Sequence, residues 1–105
     1  MSWVDLCPDD LADGDLREAS AGELTLGVAR VGARIHAFEV WCTHAECPLT
    51  DGWLEGDAVR CACHGSLFHL ETGEPREGLA EEPLRVFRTR VVGGRIEAEL
   101  PATSS

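Results

Sequence analysis

The chain reads as an all-β fold built from small antiparallel sheets. Three observations predict it. Strand signals are short and frequent, and several alternate apolar with polar residues, as half-buried strands do. Glycine-bearing turn signals fall between them. No stretch carries a helical period of any length, although residues 8–11 suit a single helical turn.

The elements follow in order. Strands are expected at residues 3–5, 24–30, 34–40, 58–60, 67–69, 84–92 and 95–99. Asp13-Gly14-Asp15 is the turn signal between the first strand and the second. Val31-Gly32-Ala33 reads as the hairpin turn joining the second to the third. Glu55-Gly56-Asp57 precedes the fourth, and Thr72-Gly73-Glu74 follows the fifth. Gly93-Gly94 closes the last hairpin. No internal repeat, low-complexity segment or linker interrupts this series.

A length of 105 residues fits one domain, residues 1–105. The hydrophobic fraction of 44% is ordinary, so a core can be buried. A domain this small still gains from a bound metal group or a cross-link. No apolar run approaches the length of a membrane span. The first residues lack the basic start and apolar stretch of a signal peptide, so the expected location is the cytoplasm.

The 19 acidic residues outnumber 9 basic ones, for a formal net charge of −10. Nucleic-acid phosphates would be repelled by such a chain. The acidity suits solubility, or electrostatic steering toward a basic partner surface. Every basic residue is Arg, and Lys, Asn, Gln and Tyr are absent. That bias reflects genome base composition rather than function.

The 5 Cys point to metal or redox chemistry before a disulfide scaffold. Cys7 stands apart and reads as a half-buried free thiol. Two short runs carry the chemistry: Cys42-Thr43-His44 and Cys61-Ala62-Cys63-His64. Each offers one thiolate and one imidazole. That is the ligand set of a [2Fe–2S] centre in which two Cys hold one iron and two His hold the other. Thiolates are soft and charged, and they suit ferric iron and sulfide. Neutral imidazoles take two negative charges out of the coordination sphere. The cluster is then easier to reduce than an all-Cys one, with a potential of roughly −150 to +300 mV.

Cys42, His44, Cys61 and His64 are therefore the candidate ligands. They sit on two loops, residues 42–51 and 61–66, projecting from one end of a sheet stack. A Cys₂His₂ zinc site would use the same atoms. Zinc sites more often pair Cys with Cys and His with His, whereas each half here mixes the two. Brown colour in the purified protein separates the readings. His36 and His69 lie in strands outside the motif spacing and read as structural or solvated. Trp41 and Trp53 flank the first ligand loop and read as core packing, with partner docking as the alternative.

The stretch CTHAECPLTDGWLEGDAVRCACHGSLFHLETGEP, residues 42–75, resembles a Rieske ferredoxin. It is most similar to the small ferredoxin component of aromatic ring-hydroxylating dioxygenases. The DGWLEGD segment and the TGEP turn are typical of that family. ARIHAFEVWCTH resembles its strand leading into the first ligand loop, and EPLRVFRTRVVGGRIEAEL its closing hairpin. The resemblance implies a Rieske fold of three small antiparallel sheets with two cluster-binding loops at one end. It implies one [2Fe–2S] cluster, with Cys42 and Cys61 on the buried iron and His44 and His64 on the outer one.

Departures from the family pattern matter. Many dioxygenase ferredoxins lack cysteines at the positions of Cys47 and Cys63. The Rieske proteins of respiratory complexes have both, joined as a disulfide that ties the two loops together. The resemblance therefore implies a Cys47–Cys63 disulfide, against the alternative of two free thiols in a reducing cytosol. Ser66 matches a serine that donates to a bridging sulfide in those high-potential proteins, or else satisfies local backbone. Phe68 stands where they carry a tyrosine that bonds a ligand sulfur. Phe cannot donate, so it fills core and one potential-raising bond is missing.

The expected function is a one-electron carrier, not an enzyme. It would accept electrons from a flavin-dependent ferredoxin reductase and pass them to a terminal oxygenase, acting as a monomer with transient partners. A 2-His-1-carboxylate iron site would need a further large domain. Partners would dock over His44 and His64, against Ala45, Pro48 and Gly65, near Glu46. The alternative is a small Rieske-like subunit of an assimilatory nitrite reductase, which the complete ligand set disfavours. Respiratory and exported-oxidase subunits would need an anchor or an export signal.

Overall fold

A computed structural model describes residues 2–22, 24–41, 47–63, 65–78 and 82–100. These residues form β1 Ser2–Pro8, β2 Leu16–Ala21, β3 Leu24–Val31, β4 Arg34–Glu39, a 3₁₀ turn Leu49–Asp51, β5 Trp53–Glu55, β6 Ala58–Arg60, β7 Leu67–His69, β8 Pro75–Glu77, β9 Val86–Val92 and β10 Arg95–Leu100. The fold is all-β, as expected. None of the helices among the described residues is long and apolar enough to cross a membrane.

β1, β10 and β9 make one antiparallel sheet, and β2, β3 and β4 make a second. The two join where Ala37 faces Phe87 and Phe38 faces Val86. The joined order is β1-β10-β9-β4-β3-β2, and β5-β6-β7-β8 form the third sheet. The Gly93-Gly94 turn supplies positive φ at both central positions, +58° and +76°. That is the backbone a two-residue hairpin needs.

β3 explains where the core lies. Leu26 and Val28 are fully buried against β1, β2 and β10 residues, among them Ala98 and Ile96. Ala29 faces the other way, into a cluster of Phe38, Leu49, Val59, Cys61, Phe68, Leu70 and Leu84. Gly27 leaves room there for the Phe38 ring, which a side chain at 27 would overlap. Val59 and Phe68 face one another across β6 and β7. Their burial, worth about 1.5–3 kcal/mol each, fastens the third sheet to the rest. Cys61, at the end of β6, is carried into the same cluster.

Three strands escaped the sequence reading. β2, LREASA, is made of good helix formers and is held extended by pairing with β3. β5 and β8 are three residues each, too short for a period to show. Several boundaries also moved, most at β1 and β9. β1 runs to Pro8, and the Asp9 N–H donates to the Gly94 carbonyl at 2.9 Å, so residues 8–11 form no helical turn. β9 starts at Val86 because the Leu84 N–H turns to the Gly73 carbonyl, at 2.6 Å.

Candidate metal centre

Of the four ligand candidates, Cys61 falls among the described residues. Cys42, His44 and His64 lie outside them, as do Ala45 and Glu46. Cys61 is a fully buried free thiol. Its N–H donates to the Ser66 carbonyl at 2.8 Å, and the Gly65 N–H donates back to its own carbonyl at 3.0 Å. The 61–66 loop is thus a closed turn with Cys61 pointing inward, while Ala62 and Cys63 are exposed.

The other loop is anchored in the same way. Trp41 and Pro48 form an isolated β-bridge. The Leu49 N–H donates to the Val40 carbonyl at 2.6 Å. Leu49 is fully buried and begins the 3₁₀ turn. A disulfide joins Cys47 to Cys63 with Cα atoms 6.4 Å apart, so the two loops are covalently tied.

Arg60 adds a tie the sequence reading missed. Its Nη1 donates to the Gly65 carbonyl at 2.7 Å. Its Nε and Nη2 clasp the Glu55 carboxylate at 2.5 and 2.9 Å. The Trp53 indole N–H donates to the same carboxylate at 2.8 Å. Arg60, and then Trp53, hold the Glu55 pKa down to about 2. The available signal was the GD turn at Gly56-Asp57, which puts Trp53 opposite Arg60 in the hairpin.

Trp41 and Trp53 are each 51% exposed. This overturns the core-packing expectation for both. Both stand at the ends of the first loop rather than inside a strand of the core. His36 is half-buried, and burial, with Arg34 nearby, pushes its pKa down. His69 Nε2 lies 2.9 Å from Asp57 Oδ2 and its Nδ1 lies 3.2 Å from Thr72 Oγ1. Both ring nitrogens are thereby engaged in a surface network. Cys7 is a buried free thiol in the cluster containing Val28 and Ile96. Phe68 is fully buried in the main core.

The residues fit an iron–sulfur group. The Ser66 hydroxyl is completely buried and has no hydrogen-bond partner among the described residues. A buried donor without an acceptor costs about 1–3 kcal/mol, so its persistence calls for an acceptor. Ser66 and the buried Cys61 are joined by the Cys61 N–H to Ser66 carbonyl hydrogen bond. Soft thiolate and an unused hydroxyl donor are what a sulfide-bearing cluster takes.

Comparison with known proteins supports the same group. The family model of the Rieske [2Fe-2S] domain matches residues 2–88. Ferredoxin CarAc of Metapseudomonas resinovorans is 35% identical over 96 residues, covering 90% of each chain. The ferredoxin component of biphenyl 2,3-dioxygenase from Rhodococcus jostii is 32% identical over 101 residues, 95% of this chain and 94% of the relative. Among solved structures, a complex of reduced oxygenase and oxidized ferredoxin in carbazole 1,9a-dioxygenase matches with a TM-score of 0.86 and 35% identity, covering 91% of each chain. A ferredoxin of Sphingomonas yanoikuyae shares the fold with a TM-score of 0.89 at 24% identity, over 95% of this chain and 100% of that one.

Proposed function

The chain belongs to the Rieske [2Fe-2S] domain family, and from that premise we propose a one-electron carrier serving a terminal oxygenase of the aromatic ring-hydroxylating type. Its electron donor is a flavin-dependent ferredoxin reductase. It works in the cytoplasm as a monomer that meets both partners transiently, and it turns over no substrate itself. Residues 1–105 form one domain, and the electron-carrying group belongs to it.

Cys42, His44, Cys61 and His64 hold one [2Fe–2S] cluster. When bound, that cluster supplies a centre that gains and loses one electron. Cys61 brings its thiolate from within the main core, where water is excluded. The buried Ser66 hydroxyl would be free to donate to the group, which would stabilise added negative charge. The Cys47–Cys63 bond keeps the two loops together. Partners dock at the two ligand loops, the surface assigned to His44 and His64 with Ala45, Glu46, Pro48 and Gly65. The exposed rings of Trp41 and Trp53 frame that surface with apolar area. Its acidic surroundings steer a basic partner.

The observation that carries this reading is the match to ferredoxin components across about nine-tenths of both chains. The test is anaerobic stopped-flow mixing of the reduced protein with an oxidised Rieske oxygenase from the same organism. Rapid reoxidation, slowing as salt rises, is expected. Absence of transfer to any such oxygenase would refute the reading.

A further inference from the structure

We propose that Arg60 is the positioning residue of the second ligand loop, and that its charge raises the reduction potential of the bound cluster. The proposal rests on the ligand assignment just given. Arg60 ends β6, immediately before Cys61. Its contact at the Gly65 carbonyl, 2.7 Å, falls on the residue that follows His64. One guanidinium therefore braces the loop at the far side of the turn from the backbone it grows out of.

The brace is itself braced. Glu55, on β5, accepts from two nitrogens of the guanidinium. The Trp53 indole N–H donates to the Glu55 oxygen that also accepts from Arg60 Nε, fixing the carboxylate further. Glu77, on β8, lies 3.5 Å from Nη2. Arg60 thus links the loop to both outer strands of the third sheet. A planar fork with several donors suits this task, and an ammonium cannot reproduce it. The Arg60 side chain is only 20% exposed. Its part-buried hydrogen bond to the Gly65 carbonyl is therefore less diluted by water than a surface pair.

Charge gives the second consequence. A cation beside a redox centre favours the state with one more negative charge. Arg60 is the residue next to a thiolate ligand, and Glu55 and Glu77 offset part of its effect. Removing the cation lowers the potential, and removing the Glu55 charge raises it.

The test uses the purified holoprotein and four variants. Arg60→Met keeps the aliphatic stem and removes the fork. Arg60→Lys keeps the charge without the fork, and Glu55→Gln removes the counter-charge while leaving one acceptor. Arg95→Met breaks an ion pair with Asp5 on another sheet and serves as control. Loss of visible absorbance to a chelator, the reduction potential and the EPR spectrum of the reduced protein are recorded. Arg60→Met should lose its cluster about tenfold faster, as loss of one charged hydrogen bond allows, and should have a lower potential. Arg60→Lys should lose it faster but keep nearly the parent potential. Glu55→Gln should raise the potential, and the control should change nothing. An iron-loaded parent with an unaltered Arg60→Met variant would overturn this proposal alone. A parent that binds no iron would overturn the ligand assignment and the proposal with it. If Arg60→Met does not fold, an unchanged potential and loss rate in Glu55→Gln refute the role.

Discussion

Gly78 lies directly against Ser66: a Cβ at position 78 would fall 2.6 Å from Ser66 Cα and 2.8 Å from its Oγ. The φ of Gly78 is +95°, a conformation that L side chains rarely adopt. The segment after β8 therefore closes over the Ser66 backbone. Gly78→Ala meets both penalties at once. It should destabilise the protein by about 2–4 kcal/mol, from backbone strain and overpacking together. Thermal unfolding tests this, and a Tm within a degree or so of the parent would show that the backbone gives way cheaply.

Ser66→Ala removes the buried hydroxyl that no atom of the described residues satisfies. Among the described residues no protein hydrogen bond is lost, so the Tm of the cluster-free protein should barely move. The potential should fall, because a donor to the cluster favours its reduced form. A large drop in Tm with an unmoved potential would make the hydroxyl a structural group instead.

Thiol counting reports on the Cys47–Cys63 bond. Unfolded, cluster-free protein prepared without reductant should show three free thiols: the 5 Cys less the two joined. Five would refute the bridge. A loop of this length is worth roughly 3 kcal/mol by chain entropy. Iron bound by the proposed ligands on the same two loops would close a similar loop, so the gain in the loaded protein should be smaller. Cys47→Ala should therefore speed cluster loss more than it lowers Tm. Cys63 is exposed, so the bond is open to external reductants.

Acid behaviour follows from the carboxylates whose pKa is lowered. The Arg60 and Trp53 hydrogen bonds hold Glu55 at about 2. Asp5 is lowered by Arg95, and Asp57 by His69 and Arg76. A depressed pKa contributes stability above the group's unfolded value and loses it as pH falls through the folded one. Urea midpoints should be level above roughly pH 5 and decline below it. These groups sit at the surface, so the slope should be shallow and weaken with salt. Glu55→Gln should flatten part of the decline. A decline identical to the parent's would remove Glu55 from the account.

The candidate ligands were legible in the sequence because Cys42, His44, Cys61 and His64 form two local runs. Their chemistry depends on residue type and short spacing, both of which a linear reading sees. The hairpin turns at Gly32 and Gly93-Gly94 were legible for the same reason. β2 was not, because Ala, Glu, Arg and Leu favour helix and only pairing with β3 extends them. The Arg60 brace was hidden too. It needs the register that sets Trp53 opposite Arg60, and then the fold of the next loop to bring the Gly65 carbonyl within reach. The exposure of Trp41 and Trp53 was misread because a large ring is core by default, and a ring at a loop end is not.

The most direct test of the central claim is metal analysis joined to pulsed EPR of the reduced protein, grown with and without ¹⁵N-labelled histidine. Two irons and two acid-labile sulfides per chain are expected, with coupling to two histidine nitrogens that responds to the label. Stoichiometric zinc in a colourless protein, or an iron–sulfur signal without histidine nitrogen coupling, would contradict the account.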